Sequence, residues 1–137
     1  MALVLDTGVL LALMDRRDEY HGACRELVQS TRERLVLPAP VLPEVDYFIS
    51  ERLSHAVRSA MLDNIRRGAL NVENIQTSDY DRIQEVCDTY ADASIGFVDA
   101  AVLAVVERLG EPKLATLDRR HFAMMRPRHV AGLRLLP

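Results

Sequence analysis

The chain has 137 residues, 49% of them hydrophobic, and this size and composition predict one compact domain with a single apolar core. A chain of this length buries roughly two thirds of the surface that it exposes when unfolded, so neither a disulfide nor a structural metal is needed for folding. The net charge of −3 argues against a generally basic surface for nucleic acid, and no apolar stretch is long enough to span a membrane.

The apolar pattern of the first third predicts two strands and two helices. Residues 2–5 are a short apolar run typical of a buried strand, and the polar turn after it contains Asp6. A helix is predicted over residues 9–14, and apolar residues at helical spacing predict a second helix over residues 18–31. Residues 35–37 form a brief strand that a proline stops.

Prolines and helix caps set the middle elements. A helix over residues 40–53 tolerates its two prolines only in its entry and first turn, so Glu44 belongs near the N-terminal end. Ser54 offers an N-cap for the next helix, which ends at Gly68. A third strand is predicted over residues 69–72.

The last third contains the most apolar helix. Residues 77–90 have helical periodicity, and a second helix over residues 97–109 is almost entirely apolar up to the glycine that ends it. Residues 113–117 predict a strand that ends at Asp118, and residues 133–136 predict an edge strand. This alternation predicts an α/β fold with a mostly parallel sheet covered on both faces, in one domain over residues 1–137.

Four acidic residues stand out by their position in this scheme: Asp6, Glu44, Asp99 and Asp118. Each alone has an ordinary explanation as a cap, a turn residue or a solvated side chain. However, ligands of such folds collect at the carboxyl ends of strands, where Asp6 and Asp118 lie, and Asp99 interrupts an apolar string. Because no basic residue lies beside Asp6, Glu44 or Asp99 to neutralise it, four converging carboxylates would favour a hard cation such as Mg²⁺ or Mn²⁺.

The remaining features indicate less. Cys24 and Cys87 lie in helical stretches rather than in a spaced pair, which predicts free thiols in a reducing compartment and a cytoplasmic protein without a leader or a membrane anchor. Tyr47 and Phe48 follow a helical pattern and are expected in the core or an interface rather than stacked on bases. Residues 113–137 carry six basic residues against one acidic residue, a candidate phosphate-binding edge.

Four segments resemble PIN-domain nucleases, and their order and spacing are similar to the VapC toxins of VapBC toxin–antitoxin pairs. They are VLDTG at residues 4–8, PEVDYF at 43–48, GFVDAA at 96–101 and TLDRRHF at 116–122. The resemblance spans nearly the whole chain. It implies a three-layer α/β/α fold with four to five strands.

The resemblance also implies a site. Asp6, Glu44, Asp99 and Asp118 match the acidic quartet that holds divalent metal in PIN nucleases, with Mg²⁺ expected and Mn²⁺ as a substitute. Two hydroxyl residues, Thr7 and Thr116, match positions near that site. Each can hydrogen-bond a carboxylate or a metal-bound water, or can equally satisfy a backbone group of the turn. Three residues after Asp118 are candidates for RNA phosphate contacts, namely Arg119, Arg120 and His121. Asp92 is left outside this set as a loop residue.

The implied activity is metal-dependent hydrolysis of RNA phosphodiester bonds, leaving a 5′ phosphate and a 3′ hydroxyl, by a homodimeric toxin with a VapB-like antitoxin as partner. The alternative is a catalytically silent PIN-like module that binds RNA or protein. A haloacid-dehalogenase-type phosphatase is disfavoured because Gly8 stands where that family needs its second Asp. A receiver domain lacks its early acidic pair, and a serine or cysteine hydrolase lacks a nucleophile elbow.

Overall fold

A computed structural model describes residues 1–137, the whole chain. It contains seven α-helices: α1 (Thr7–Met14), α2 (His21–Ser30), α3 (Val41–Arg52), α4 (His55–Arg66), α5 (Asp79–Thr89), α6 (Phe97–Leu109) and α7 (Arg119–Met124). Five strands are present: β1 (Ala2–Val4), β2 (Arg34–Pro38), β3 (Asn71–Glu73), β4 (Lys113–Ala115) and β5 (Arg134–Leu136). A short 3-10 turn covers Ala91–Ala93. None of the helices combines the length and apolar character that crossing a membrane requires.

All five strands run parallel, in the spatial order β3-β2-β1-β4-β5. β1 pairs with β2, β2 with β3, and β4 with β5, while a single bridge between Leu5 and Ala115 joins the two halves. The Asp6 backbone N also donates to the Ala115 carbonyl at 2.9 Å. The carboxyl ends of β1 and β4 are therefore neighbours, as the parallel α/β prediction requires.

The helices cover the sheet in the predicted three-layer arrangement. α1 packs against α2 and α3, α3 packs against α4, and α5 lies along α6, while both α3 and α6 contact β2. The centre of α6 is buried from Ala100 to Val106 without interruption, which agrees with its almost wholly apolar sequence. Both cysteines are free thiols, with Cys24 buried and Cys87 partly buried.

Most differences from the predicted boundaries have a local polar cause. α1 begins at Thr7 instead of residue 9 because Asp6 caps it. α2 begins at His21 rather than residue 18 because Asp15 and Asp18 each accept a hydrogen bond from a backbone N two residues on, which holds the segment in turns.

The later boundaries differ in the same way. β3 begins at Asn71 because the backbone N of the two residues after Gly68 donates to the Asn64 carbonyl, which completes the end of α4. β4 stops at Ala115, two residues earlier than predicted, where the Thr116 hydroxyl takes part in the turn to α7. The predicted spans of α6 and Gly110 as its terminator are correct.

Candidate functional site

Asp6 lies where the chain leaves β1 and enters α1. Its Oδ1 accepts a hydrogen bond from the Thr7 backbone N at 2.8 Å, and its Oδ2 accepts one from the Thr116 hydroxyl at 2.9 Å. The residue is only 5% exposed. Burial raises the pKa of Asp6 from 3.8 to about 6, although these two hydrogen bonds lower it, and the charges of Asp99 and Glu44 raise it further. Asp6 is thus a buried carboxyl with neutral donors only.

Asp99 and Glu44 come to this carboxyl from the first turns of two helices. Asp99 is the third residue of α6 and Glu44 the fourth of α3, and both are partly buried. Burial raises the pKa of Asp99, and the charges of Asp118 and Glu44 raise it further, while His121 opposes them. Asp6 and Asp99 therefore each lie in the electric field of Glu44 and of at least one further aspartate.

Asp118 follows β4 and caps the short helix α7. Its Oδ1 accepts from the His121 backbone N at 3.1 Å, and its Oδ2 lies 2.8 Å from the His121 ring Nδ1. Its own backbone N donates to the Thr116 hydroxyl at 3.0 Å, so Thr116 joins Asp118 to Asp6. One buried hydroxyl is therefore hydrogen-bonded to both strand ends.

No lysine or arginine forms a salt bridge with any of the four acidic residues. The basic group that the fold does bring to them is His121, whose Nδ1 is 3.6 Å from Asp99 Oδ2. Sequence reasoning considered His121 only as a phosphate contact. Its contact with Asp118 could have been predicted, because residues three positions apart at the start of a helix are neighbours.

The residues present fit a divalent cation. The donor set consists of carboxylate oxygens, which Mg²⁺ and Mn²⁺ prefer, and one atom each of Asp99, Asp118 and His121 lies within 4.8 Å of the others. In addition, the Thr7 hydroxyl beside Asp6 is buried and has no hydrogen-bond partner. A buried polar atom left unpaired costs free energy, and a hydrated ion would supply the missing partner.

The basic residues after Asp118 have different environments. Arg119 Nη2 donates to the carbonyl of Leu135 at 3.3 Å and to that of Pro137, so its guanidinium holds the C-terminal strand. Arg120 is exposed and makes no hydrogen bond or salt bridge. Elsewhere in the basic C-terminal segment, Lys113 is buried in salt bridges, so the proposed edge is less continuous than its sequence indicates.

Three further residues were considered from the sequence. Tyr47 is 61% exposed, so the expectation of a core position is wrong for it and only the interface alternative stays open. Phe48 is partly buried, with its ring 5.3 Å from that of Tyr47 and the Arg52 guanidinium 4.7 Å from its own centre. Asp92 lies exposed in the 3-10 turn, outside the group of atoms around Asp99.

The fold and its acidic centre define a class of protein, and comparison with known families gives the same class. The model of the PIN domain family matches residues 3–126. This range includes all four acidic residues and every helix and strand except β5 and the first residue of β1.

Individual relatives specify the class more narrowly. The chain is 31% identical over 125 residues to ribonuclease VapC26 of Mycobacterium tuberculosis (strain ATCC 25618 / H37Rv), covering 91% of this chain and 93% of that protein. The chain belongs to the PIN-domain family and, within it, to the VapC ribonucleases.

Solved structures share the fold. VapC20 of Mycobacterium tuberculosis, described as a Sarcin-Ricin loop cleaving toxin, superposes with a TM-score of 0.73 at 24% identity, covering 83% of this chain and 87% of that one. VapBC2 of Rickettsia felis, bound to a DNA fragment from its promoter, gives 0.68 at 16% identity, with 98% and 97% covered.

Proposed function

We propose that this protein is a metal-dependent endoribonuclease that hydrolyses RNA phosphodiester bonds, and that it is the toxin of a VapBC-type pair. One observation carries the proposal: the charges of Asp99 and Glu44 act on the buried Asp6, those of Asp118 and Glu44 act on Asp99, and no lysine or arginine forms a salt bridge with any of these four acids. In this proposal Asp6, Glu44, Asp99 and Asp118 hold Mg²⁺, for which Mn²⁺ can substitute. RNA is supported as the substrate because the relative VapC26 is named a ribonuclease.

The side chains at the site have separate roles in this proposal. Asp6 is fixed by Thr7 and Thr116, so its carboxylate is held in one orientation before any ligand arrives. A divalent ion held by the four carboxylates would supply a Lewis acid, able to lower the pKa of a water molecule and to offset the negative charge that develops on the phosphoryl and leaving oxygens. Arg120, which has no partner in the chain, is the candidate to bind a neighbouring phosphate of the RNA.

The catalytically silent binding module is the competing function, and an RNA cleavage assay separates the two. Purified protein is incubated with total cellular RNA in Mg²⁺, in Mn²⁺ or with chelator, beside Asp99→Asn and the control Asp81→Asn. Asp81 is an exposed aspartate in the first turn of α5, so its substitution makes the same chemical change away from the centre.

We expect discrete fragments that depend on metal, persist with Asp81→Asn and vanish with Asp99→Asn. RNA binding without cleavage, unaltered by chelator or by Asp99→Asn, would instead establish the binding module. Loss of the folded state in Asp99→Asn, measured by circular dichroism, would leave Asp118→Asn as the second variant, because Asp118 is more exposed.

A VapB-like antitoxin is the proposed protein partner, supported by the VapBC complexes among the similar folds. An apolar groove of about 410 Å³ lies between α1, α2 and α4 and is suited to an amphipathic helix. Ten of its eleven lining residues are hydrophobic, among them Leu10, Leu13, Met14 and Val28.

The groove can be blocked without altering the core. Ala60 is exposed and lines the groove, so Ala60→Arg should fill it and prevent co-purification with the antitoxin encoded beside the toxin gene. Ser59→Arg adds the same side chain on α4 outside the groove and should leave co-purification intact. Equal retention of the antitoxin by both variants would contradict this docking site.

Two further properties belong to the proposal. We place the protein in the cytoplasm, where its RNA substrate is found and where free thiols persist. We also expect a homodimer, and the exposed Tyr47 is a candidate interface residue. Sedimentation equilibrium of the wild type beside Tyr47→Glu tests this: a monomeric wild type would contradict the expectation.

A further inference from the structure

Beyond the four carboxylates, His121 contacts the centre through a ring nitrogen. Its Nδ1 lies 2.8 Å from Asp118 Oδ2 and 3.6 Å from Asp99 Oδ2. Asp118 Oδ1 accepts from a backbone N, which leaves Oδ2 as the carboxylate oxygen without a backbone hydrogen bond. The imidazole nitrogen therefore lies beside one carboxylate oxygen of each acid that could hold an ion.

The spacing of these three atoms suits bonds to one ion. His121 Nδ1 is 2.8 Å from Asp118 Oδ2 and 3.6 Å from Asp99 Oδ2, and one ligand atom of each of the three residues lies within 4.8 Å of the others. Two neighbouring ligands of an octahedral ion are themselves about 3 Å apart. The two separations from Nδ1 differ from this value by about 0.2 and 0.6 Å, so a small side-chain adjustment would let the three residues share one ion.

The ring is also held in place before a metal arrives. His121 lies in the first turn of α7, its backbone N is bonded to Asp118, and the next residue, Phe122, is buried in the core. The His121 side chain is only 25% exposed. Asp118 and His121 are thus presented together by one rigid turn, which reduces the cost of ordering two ligands.

We propose that His121 Nδ1 is a nitrogen ligand of the metal centre, so that the site prefers Mn²⁺ to Mg²⁺. This inference rests on the proposed metal-dependent function. Without metal, Nδ1 carries the proton and donates it to Asp118; with metal, the neutral ring carries its proton on Nε2. Imidazole nitrogen is a poor ligand for Mg²⁺, whereas it binds transition ions well, and this difference in donor chemistry produces the preference.

Pulsed electron paramagnetic resonance of the protein loaded with Mn²⁺ tests the bond itself. The wild type should show the coupling of a directly bonded ¹⁴N, and labelling histidine with ¹⁵N should change it. His121→Asn is the decisive variant because its amide NH₂ can still donate to Asp118 near the position of Nδ1 but is not a metal ligand. It should lose the nitrogen coupling and bind Mn²⁺ about tenfold more weakly, with Mg²⁺ affinity unchanged.

The opposite results are distinguishable. Mn²⁺ that binds the wild type, is lost in Asp99→Asn and shows no nitrogen coupling would overturn the role of His121 as a ligand and leave the proposed nuclease intact. An unchanged ratio of Mn²⁺ to Mg²⁺ affinity in His121→Asn would do the same, since a hydrogen bond to Asp118 would then suffice. Failure of the folded wild type to bind Mn²⁺ at all would overturn this inference together with the proposed function.

Discussion

Two equally buried carboxylates at opposite ends of the sheet have opposite surroundings. Glu111, just before β4, is 5% exposed and bonds the Lys113 ammonium at 3.1 Å and the Ala2 backbone N at 2.8 Å. Asp6, at the other end, is also 5% exposed but has only neutral donors and other acids around it. The fold therefore pairs the buried Glu111 with a cation at one end of the sheet, but leaves the buried Asp6 without one at the carboxyl ends of the strands.

This contrast distinguishes a structural ion pair from a site. An unpaired buried carboxylate costs stability, whereas a paired one contributes to the register of β1 and β4. Removing a charge at the carboxyl end should therefore lower activity and spare stability. Removing a charge at the other end should lower the free energy of unfolding and spare activity.

The largest effect should come from Asp6→Asn on activity. Removing one carboxylate ligand should lower the rate of RNA cleavage on the order of a thousandfold, equivalent to about 4 kcal/mol of transition-state stabilisation. Stability in chelator should be unchanged or higher, because a neutral amide replaces a buried acid. Single-turnover cleavage and denaturant unfolding measure the two quantities. A variant that cleaved at the wild-type rate would remove Asp6 from the centre.

The next effect belongs to the other end of the sheet. Lys113→Met should cost about 3 kcal/mol of stability, because it leaves Glu111 buried and Glu33 partly buried without their shared ammonium, while cleavage per folded molecule stays at the wild-type rate. Urea unfolding measures the loss, and Glu111→Gln with Lys113→Met should recover part of it. Reduced cleavage by fully folded Lys113→Met would show that the two ends are not independent.

The pKa of Lys113 determines how the stability contributed by its ion pairs changes with pH. Burial lowers that pKa, but the hydrogen bonds and charges of Glu33 and Glu111 more than offset burial and leave it raised above 10.5. A raised lysine pKa means that the stabilisation is present below 10.5 and is lost as the pH rises through the folded value. The stability advantage of the wild type over Lys113→Met should therefore shrink in strong alkali.

Asp6 should give a pH dependence of the same direction as Lys113, but in acid rather than in alkali. Its pKa of about 6 in the folded protein exceeds the 3.8 of an unfolded chain, so the folded state binds more protons between these values. In chelator, stability should fall by roughly 3 kcal/mol as the pH rises from about 4 to 7, by 1.4 kcal/mol per pKa unit. Asp6→Asn should remove the Asp6 part of this slope and leave only the part that the raised pKa of Asp99 contributes. An undiminished slope in the variant would assign the proton to another group.

The sequence was sufficient for elements whose signals are local. The length and apolar composition of α6, the glycine that ends it and the Ser54 cap of α4 were all read correctly from residues close in the chain. The acidic quartet could be selected as a candidate because Asp6 and Asp118 follow strands and because the four segments match a family. The early start of α1 was missed, since whether Asp6 ends a strand or caps a helix depends on hydrogen bonds that a pattern does not contain.

What the sequence could not supply was the set of long-range partners. Thr116 meets Asp6 across 110 residues, and His121 meets Asp99 through the adjacency of β1 and β4 and the start of α6. These contacts depend on strand order and side-chain direction, which periodicity does not specify. For the same reason, the sequence does not show that some of the basic residues in the C-terminal segment form salt bridges.

The smallest predicted effect concerns Thr116, which links the two strand ends of the site. Its buried hydroxyl donates to Asp6 Oδ2 at 2.9 Å and accepts from the Asp118 backbone N at 3.0 Å. Thr116→Val keeps the shape but loses both bonds, which should cost about 1–2 kcal/mol and reduce cleavage about tenfold through disordered ligands. Thr116→Ser retains the hydroxyl and should remain close to the wild type.

A second measurement separates this positioning role from simple packing. The bond from Thr116 lowers the pKa of Asp6, so Thr116→Val should move the Asp6 titration upward in chelator, whereas Thr116→Ser should not. Carbon-13 resonances of the Asp6 carboxyl report it directly. If Thr116→Val lost stability but left the Asp6 titration and the cleavage rate unchanged, the hydroxyl would serve only the turn into α7, and the two strand ends would be aligned by the sheet alone.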